Sequence, residues 1–329
     1  MMLIVYDALG FSFRKVANLL DRGFKEIGYV STHMVDGNTA FHIPRNYKSV
    51  LISDFILIIR RGWVWRFKDY TSKLIVWGDT PLSLEHVSDV ADKVNDVICN
   101  YVVLPYFIKV FKEYGFRVDG FIPRPIDYET ASKVFYEAKC DDLIKKYGDY
   151  VITVGADQIL IPPKLPRKGL DMYDKLCEWL KSKGIKCLAV SNWIHFKNVH
   201  RIPFGSLSEY ELMRLVKCAK LFVWTSRAEG FGLPPLEAMA VGQVVVASNN
   251  PTNELIHGIK FDYSNVKKVY MPEIGYNYYA FDYRFEDLKD AVDYALDLPE
   301  DERWRLIMEG RRSAKAFSPR YVSLALGEV

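Results

Sequence analysis

The run Ser226-Arg227-Ala228-Glu229-Gly230-Phe231-Gly232-Leu233-Pro234-Pro235-Leu236-Glu237-Ala238-Met239-Ala240 sets two carboxylates, Glu229 and Glu237, eight positions apart around a glycine-rich turn. The run before it, Lys220-Leu221-Phe222-Val223-Trp224-Thr225, is short, apolar and rich in aromatic and β-branched residues, which predicts a buried parallel strand. Pro234 or Pro235 suits the first helical position, where a missing N–H costs nothing, and helix continues through Ala240 until Gly242 stops it. Gly230 and Gly232 let backbone approach a ligand closely, while the helix start offers free N–H groups and a positive dipole end to an anion. Glu229 lies in the loop and Glu237 one turn into the helix, so the two do not share a face. Each can meet a different part of one extended ligand.

The elements that carry this turn alternate in type. From Tyr150 to about Asn250, strands at Val151–Gly155, Ile185–Ser191, Leu221–Ser226 and Val244–Ser248 alternate with helices near Asp171–Lys183 and Ser208–Cys218. Ser208-x-x-Glu211 is a capping box for the second of these helices. That βαβ rhythm predicts a doubly wound parallel sheet. The first half repeats it: Leu3–Tyr6, a helix near Arg14–Arg22, Ile27–Ser31, Phe55–Arg60, Leu74–Trp77, Val97–Asn100 and Gly120–Ile122. Tyr128–Lys146 reads as one helix leading into the second half, and a last helix near Pro299–Ala316 is interrupted at Phe317-Ser318-Pro319.

Glu229-Gly230-Phe231-Gly232-Leu233-Pro234-Pro235-Leu236-Glu237-Ala238-Met239-Ala240 resembles the donor-site motif of the retaining GT-B glycosyltransferases of family 4. The resemblance implies two Rossmann-like doubly wound parallel-sheet domains facing a central cleft. Residues 1–127 then form an acceptor domain, 128–310 a nucleotide-sugar domain, and 311–329 a C-terminal helix returning to the first, with the link at Phe121-Ile122-Pro123-Arg124-Pro125-Ile126-Asp127. It further implies that Glu229 and Gly230, Phe231, Gly232 and Leu233 meet the donor sugar, with Ser226 and Arg227 beside them. Glu237 would bind the ribose hydroxyls and Lys168 of Lys168-Gly169 the diphosphate. The donor would be a UDP- or GDP-sugar, the acceptor a glycan, lipid or protein, and no metal or other cofactor would be required.

Several positions depart from that pattern or carry two readings. Val154-Gly155-Ala156 has alanine where the family commonly has a second phosphate cation, and Arg124, Arg167 and Arg227 stand as substitutes. Gly10, in the loop Ala8-Leu9-Gly10-Phe11-Ser12, either faces donor phosphate or serves a plain turn. Asp79 either orients an acceptor hydroxyl or caps a turn ahead of Thr80-Pro81. Asn253-Glu254 aligns with a glycine-rich donor loop, but Pro251-Thr252 replaces its glycines. Arg60–Lys68, with two tryptophans among its cations, is an ordinary loop, a peripheral contact with lipid headgroups, or a surface that stacks on sugars or bases. A catalytically weak sugar-nucleotide-binding protein of the same fold, and a transferase acting on DNA bases, are the alternatives.

Composition bounds these readings. A chain of 329 residues exceeds one ordinary core and suggests two domains. A net charge of +3 is too small to argue for nucleic acid. Five cysteines (Cys99, Cys140, Cys177, Cys187, Cys218), odd in number and without Cys-x-x-Cys, read as buried thiols in a reducing compartment. The six histidines form no metal-ligating pattern, with His195 and His200 in an irregular stretch. No membrane-spanning run is present, so a cytoplasmic protein is expected.

Overall fold

The structure is a computed structural model that describes residues 2–6, 11–29, 32–36, 47–52, 65, 67, 71–78, 84, 88–155, 160–161, 165–271 and 276–328. It divides into two compact units, Met1–Asp127 with Ala316–Val329, and Tyr128–Lys315.

The first unit is built on a sheet of β1 (Met2–Tyr6), β2 (Thr32–Asp36), β3 (Tyr47–Ile52), β4 (Thr71–Gly78), β5 (Ile98–Val102) and β6 (Gly120–Phe121), with α1 (Phe11–Glu26), α2 (Ala91–Asn95) and α3 (Pro105–Glu113). The strands pair in parallel in the order β2-β1-β3-β4-β5-β6. Leu3, Ile4, Val5, Val50, Leu51, Ile75, Val76 and Trp77 are buried, the continuous apolar character of strands covered on both faces. Trp77 is held by its indole N–H, which donates to the Ile122 carbonyl at 2.8 Å. The expected strand at Ile27–Ser31 lies later, at Thr32–Asp36, because α1 runs on to Glu26 and the chain turns at Gly28 before extending. The expected strand at Phe55–Arg60 falls outside the described residues.

The second unit contains α4 (Tyr128–Glu137), α5 (Asp141–Tyr147), β7 (Tyr150–Gly155), β8 (Leu160–Ile161), β9 (Leu165–Pro166), α6 (Leu170–Leu180), β10 (Lys186–Ser191), β11 (His200–Ile202), α7 (Glu209–Lys217), β12 (Leu221–Trp224), α8 (Leu233–Ala240), β13 (Val245–Ser248), β14 (Ile259–Phe261), β15 (Asn265–Met271), β16 (Tyr276–Asp282), α9 (Phe285–Leu296) and α10 (Glu300–Lys315). Its main sheet is parallel in the order β11-β10-β7-β12-β13-β14. Counted from β7, that is the doubly wound order 3-2-1-4-5-6, whose switch point lies between β7 and β12. Val151, Leu176, Leu180, Leu221, Val223, Val246, Leu288 and Val292 form one apolar core beside this sheet. The Ser208 capping box is present, with Glu211 N–H donating to Ser208 Oγ at 3.3 Å and Ser208 N–H to Glu211 Oε2 at 2.8 Å. Serine hydrogen bonding pulls the exposed Glu211 carboxyl below its usual pKa.

Three features differ from expectation. The segment 128–147 is two helices rather than one, broken at 138–140. His200, expected in an irregular stretch, lies in edge strand β11. The antiparallel hairpin β15–β16 interrupts the βαβ rhythm. The last helix, α11 (Pro319–Glu328), belongs to the first unit and packs on α1, where Ser323 Oγ donates to the Leu20 carbonyl at 3.3 Å.

The cysteine expectation is overturned. Cys140 pairs with Cys218 and Cys177 with Cys187, while Cys99 is free and half-buried. Their separations of 78 and 10 residues carry no pairing signal, but folding brings the Cα atoms within 5.4 and 5.7 Å, inside disulfide range. The argument for a reducing compartment therefore falls. No helix among the described residues is long and apolar enough to cross a membrane.

Candidate active site

The carboxyl ends of β7 and β12 form the switch point of the second sheet, where doubly wound folds bind ligands. β12 ends at Trp224, and the next residues, Thr225 to Glu229, are buried. α8 begins at Leu233 rather than at a proline, capped by Gly232 at φ 80°, a left-handed turn that glycine adopts without strain. This places the glycine turn at a helix start, as its sequence implies.

Lys168 reaches the same point from the segment after β9. Its ammonium donates to Glu229 Oε1 at 2.6 Å, with the two side chains 12% and 7% exposed, and sits 5.2 Å from the Trp224 ring centroid. Two of the residues singled out in the sequence, 61 positions apart, are thus in direct contact. Gly169 makes this approach possible. It adopts φ 64°, and a Cβ there would lie 1.9 Å from the Thr225 carbonyl oxygen and 2.6 Å from the Tyr283 hydroxyl. Gly169→Ala is expected to cost ~2–5 kcal/mol, from left-handed strain plus overpacking. Gly232→Ala, whose nearest neighbour would be Pro235 Cγ at an ordinary 3.7 Å, is expected to cost only ~1–2 kcal/mol. Urea midpoints of the two variants check this; equal losses would refute the close-approach argument.

Arg227 takes a different place from the donor contact expected of it. Its guanidinium is buried, donating to Asp171 Oδ1 at 2.6 Å and Oδ2 at 2.9 Å, to Asp282 Oδ1 at 3.3 Å and to the Pro166 carbonyl at 2.9 Å. Burial works against its charge, but the Asp171 hydrogen bonds and nearby anions outweigh this and raise its pKa above the ordinary value. A guanidinium so engaged braces the turn and is not presented to a phosphate. Tyr283, whose ring lies 5.6 Å from that guanidinium, donates its hydroxyl to the Thr225 carbonyl at 2.6 Å, and burial raises its pKa. Asp171, Asp282 and Tyr283 are neighbours of the candidate site that sequence reasoning missed. Asp171 stood three residues after Lys168, but no spacing links it to Arg227.

Of the other cations considered beside Ala156, Arg167 donates Nη1 to the Ala228 carbonyl at 3.0 Å, and Arg124 is buried in the first unit. Ser226 Oγ donates to the Ala228 carbonyl at 3.3 Å, and Phe231 is buried. Glu237, half-buried, lines a recess with Val154, Leu212, Met213, Val216, Pro234 and Ala238. Pro251-Thr252 closes its loop with side chains instead of glycines. Asn250 Oδ1 accepts from the Thr252 N–H at 2.9 Å and its hydroxyl at 2.7 Å, and Asn253 Nδ2 donates to the Ser248 carbonyl at 3.0 Å. Gly10, Asp79 and Ala156 lie outside the described residues, as does most of Arg60–Lys68, of which Trp65 is exposed and Phe67 buried. No group of three or more metal-ligating side chains occurs among the described residues.

The family profile described as "Glycosyl transferases group 1" matches residues 191–258, the stretch from the end of β10 through the motif and β13 to the residue before β14. "Putative glycosyltransferase 41" of Sulfolobus islandicus filamentous virus (isolate Iceland/Hveragerdi) is 25% identical over 270 residues, covering 82% of this chain and 73% of its own. A glycosyltransferase from Rickettsia africae ESF-5 superposes with TM-score 0.72 at 12% identity, over 99% of this chain and 96% of its own. An Escherichia coli trehalose-6-phosphate protein bound with UDP-2-fluoro glucose gives TM-score 0.63 at 12% identity, over 96% and 76%. The chain is a glycosyltransferase carrying a group 1 domain on a GT-B fold.

Proposed function

We propose that the chain transfers a sugar, with retention of anomeric configuration, from a nucleoside-diphosphate sugar held by the second unit to an acceptor bound mainly by residues 1–127. The observation that carries this reading is the Lys168–Glu229 pair at the carboxyl end of the β7–β12 switch point, beside the start of α8. A diphosphate leaving group needs positive charge where its own charge grows, and Lys168 together with the positive end of α8 would supply it, with Leu233 the N–H donor of that first turn because Pro234 and Pro235 carry none. Glu229 then exchanges its ion pair for the donor sugar, while Glu237, one turn into α8, receives the ribose hydroxyls. The bond from the anomeric carbon to the diphosphate breaks, the acceptor oxygen attacks from the same face, and its proton passes to the departing phosphate. A UDP-sugar is the favoured donor, because a neighbour of this fold is described as bound with UDP-2-fluoro glucose; a GDP-sugar is the other expected class. The acceptor is a glycan, lipid or protein, with Arg60–Lys68 the candidate strip for peripheral membrane contact.

The test is thermal stabilisation by UDP, GDP, ADP and dTDP and their sugar conjugates. Saturation at ~100 times Kd adds ~2.7 kcal/mol, a readily seen rise in melting temperature. One nucleotide family is expected to stabilise the wild type and to lose its effect in Glu237→Ala. Stabilisation by none of them would defeat the donor reading, and retention is checked by the anomeric signals of the first product in NMR.

A further inference from the structure

Arg227 bonds neither end of the Lys168–Glu229 pair, yet it makes several of the hydrogen bonds that tie together the two segments carrying them. Arg227 N–H donates to the Arg167 carbonyl at 2.9 Å, and its side chain to Pro166 and Asp171, so both sides of Lys168 are fastened to it. Its own carbonyl accepts from Phe281 N–H at 2.8 Å, and its Nε bonds Asp282, which roots the hairpin β15–β16 in the same knot. Lys267 on that hairpin lies 3.7 Å from the other oxygen of Asp282, so two cations face two carboxylates. Thr225 Oγ1, two residues before Arg227, donates to the Lys168 carbonyl at 2.9 Å.

We propose that Arg227 is the positioning residue of this site: it clamps the segment bearing Lys168 and the hairpin 265–282 to the turn bearing Glu229, and thereby fixes where cation and carboxylate meet the donor. This rests on the donor reading above. A planar guanidinium reaches Asp171 through two parallel bonds while its Nε bonds Asp282; a lysine ammonium has no fork to span the three partners. Slack of about 1 Å between segments carrying reacting groups costs on the order of 10²-fold in rate, so the clamp acts through Lys168 rather than on the ligand.

The test is a double-mutant cycle read by calorimetric titration of UDP and GDP into the wild type, Arg227→Lys, Lys168→Ala and the double variant, each below its melting temperature. Arg227→Lys is expected to weaken nucleotide binding about 10-fold when Lys168 is present and less than about 2-fold when it is absent. Equal losses in both backgrounds would make Arg227 a fold staple and overturn the proposal, as would wild-type affinity in Arg227→Lys. If Arg227→Lys does not fold, Asp282→Asn, which leaves the Asp171 arm intact, runs the same cycle with an expected loss of about 3-fold. Binding of neither nucleotide by the folded wild type would overturn the donor reading, and the positioning role with it.

Discussion

Lys168→Met is expected to slow sugar transfer ~10²–10³-fold, the usual loss when one preorganised group facing developing charge is removed. The ammonium is 12% exposed, 2.6 Å from Glu229 and over the Trp224 ring, in surroundings that screen charge less than water does. The same substitution will also destabilise the fold, because it leaves the Glu229 carboxylate buried at 7% exposure without its cation. That penalty is on the order of 2–4 kcal/mol. The two effects separate in Lys168→Met/Glu229→Gln, where the stranded charge is gone. Most of the stability is expected to return there, while transfer stays at or below the rate of the single variant. Initial rates of nucleotide release, with the donor that gives the largest thermal shift, are to be read beside denaturation midpoints. Near-wild-type rates in Lys168→Met would remove Lys168 from the chemistry, and activity that recovered along with stability in the double variant would mark its effect as one on folding alone.

Fold class and family were legible in the sequence because both rest on local signals. The central strands β7, β12 and β13 of the second unit are short, mostly apolar and fully buried runs, as strands covered on both faces must be, and the motif from Ser226 to Ala240 is contiguous. Features that depend on distant residues were not legible. Arg227 reads as a phosphate cation from its neighbours, yet it ends 56 positions away on Asp171, and only the packing of α6 against the β12 turn brings the two together. Asp282 was hidden in a tyrosine-rich stretch whose alternation was not recognised as the hairpin β15–β16. In the first unit the strand at Thr32–Asp36 was placed early, because Ile27 and Tyr29 gave an apolar signal that the end of α1 had already claimed. The contact of Lys168 with Glu229 lies between these cases: each residue was picked on its own, and the bond between them appears only in three dimensions.

The disulfides lead to the second large effect. Breaking both is expected to lower the melting temperature of the second unit by on the order of 10–20 °C, from chain-entropy terms of about 4 kcal/mol for the longer loop and about 3 kcal/mol for the shorter. The pair Cys140–Cys218 closes 78 residues and Cys177–Cys187 only 10, so Cys140→Ser/Cys218→Ser should cost more than Cys177→Ser/Cys187→Ser. The native seam at the first pair is also held without the bond. Arg214 donates to the Lys139 carbonyl from Nε at 3.0 Å and Nη2 at 2.8 Å, and Lys217 Nζ to the Ala138 carbonyl at 3.0 Å. The folded state therefore keeps its packing when the sulfurs part, and the loss falls on the unfolded chain, which gains the freedom of an open loop. Melting with and without reductant measures the sum, and alkylation of the denatured chain counts the thiols: Cys99 alone should label before reduction and all five cysteines after it. Labelling of all five without reductant would show that the pairs are not formed. Unchanged melting after complete reduction would show instead that the hydrogen-bonded seam carries the stability assigned here to the covalent links.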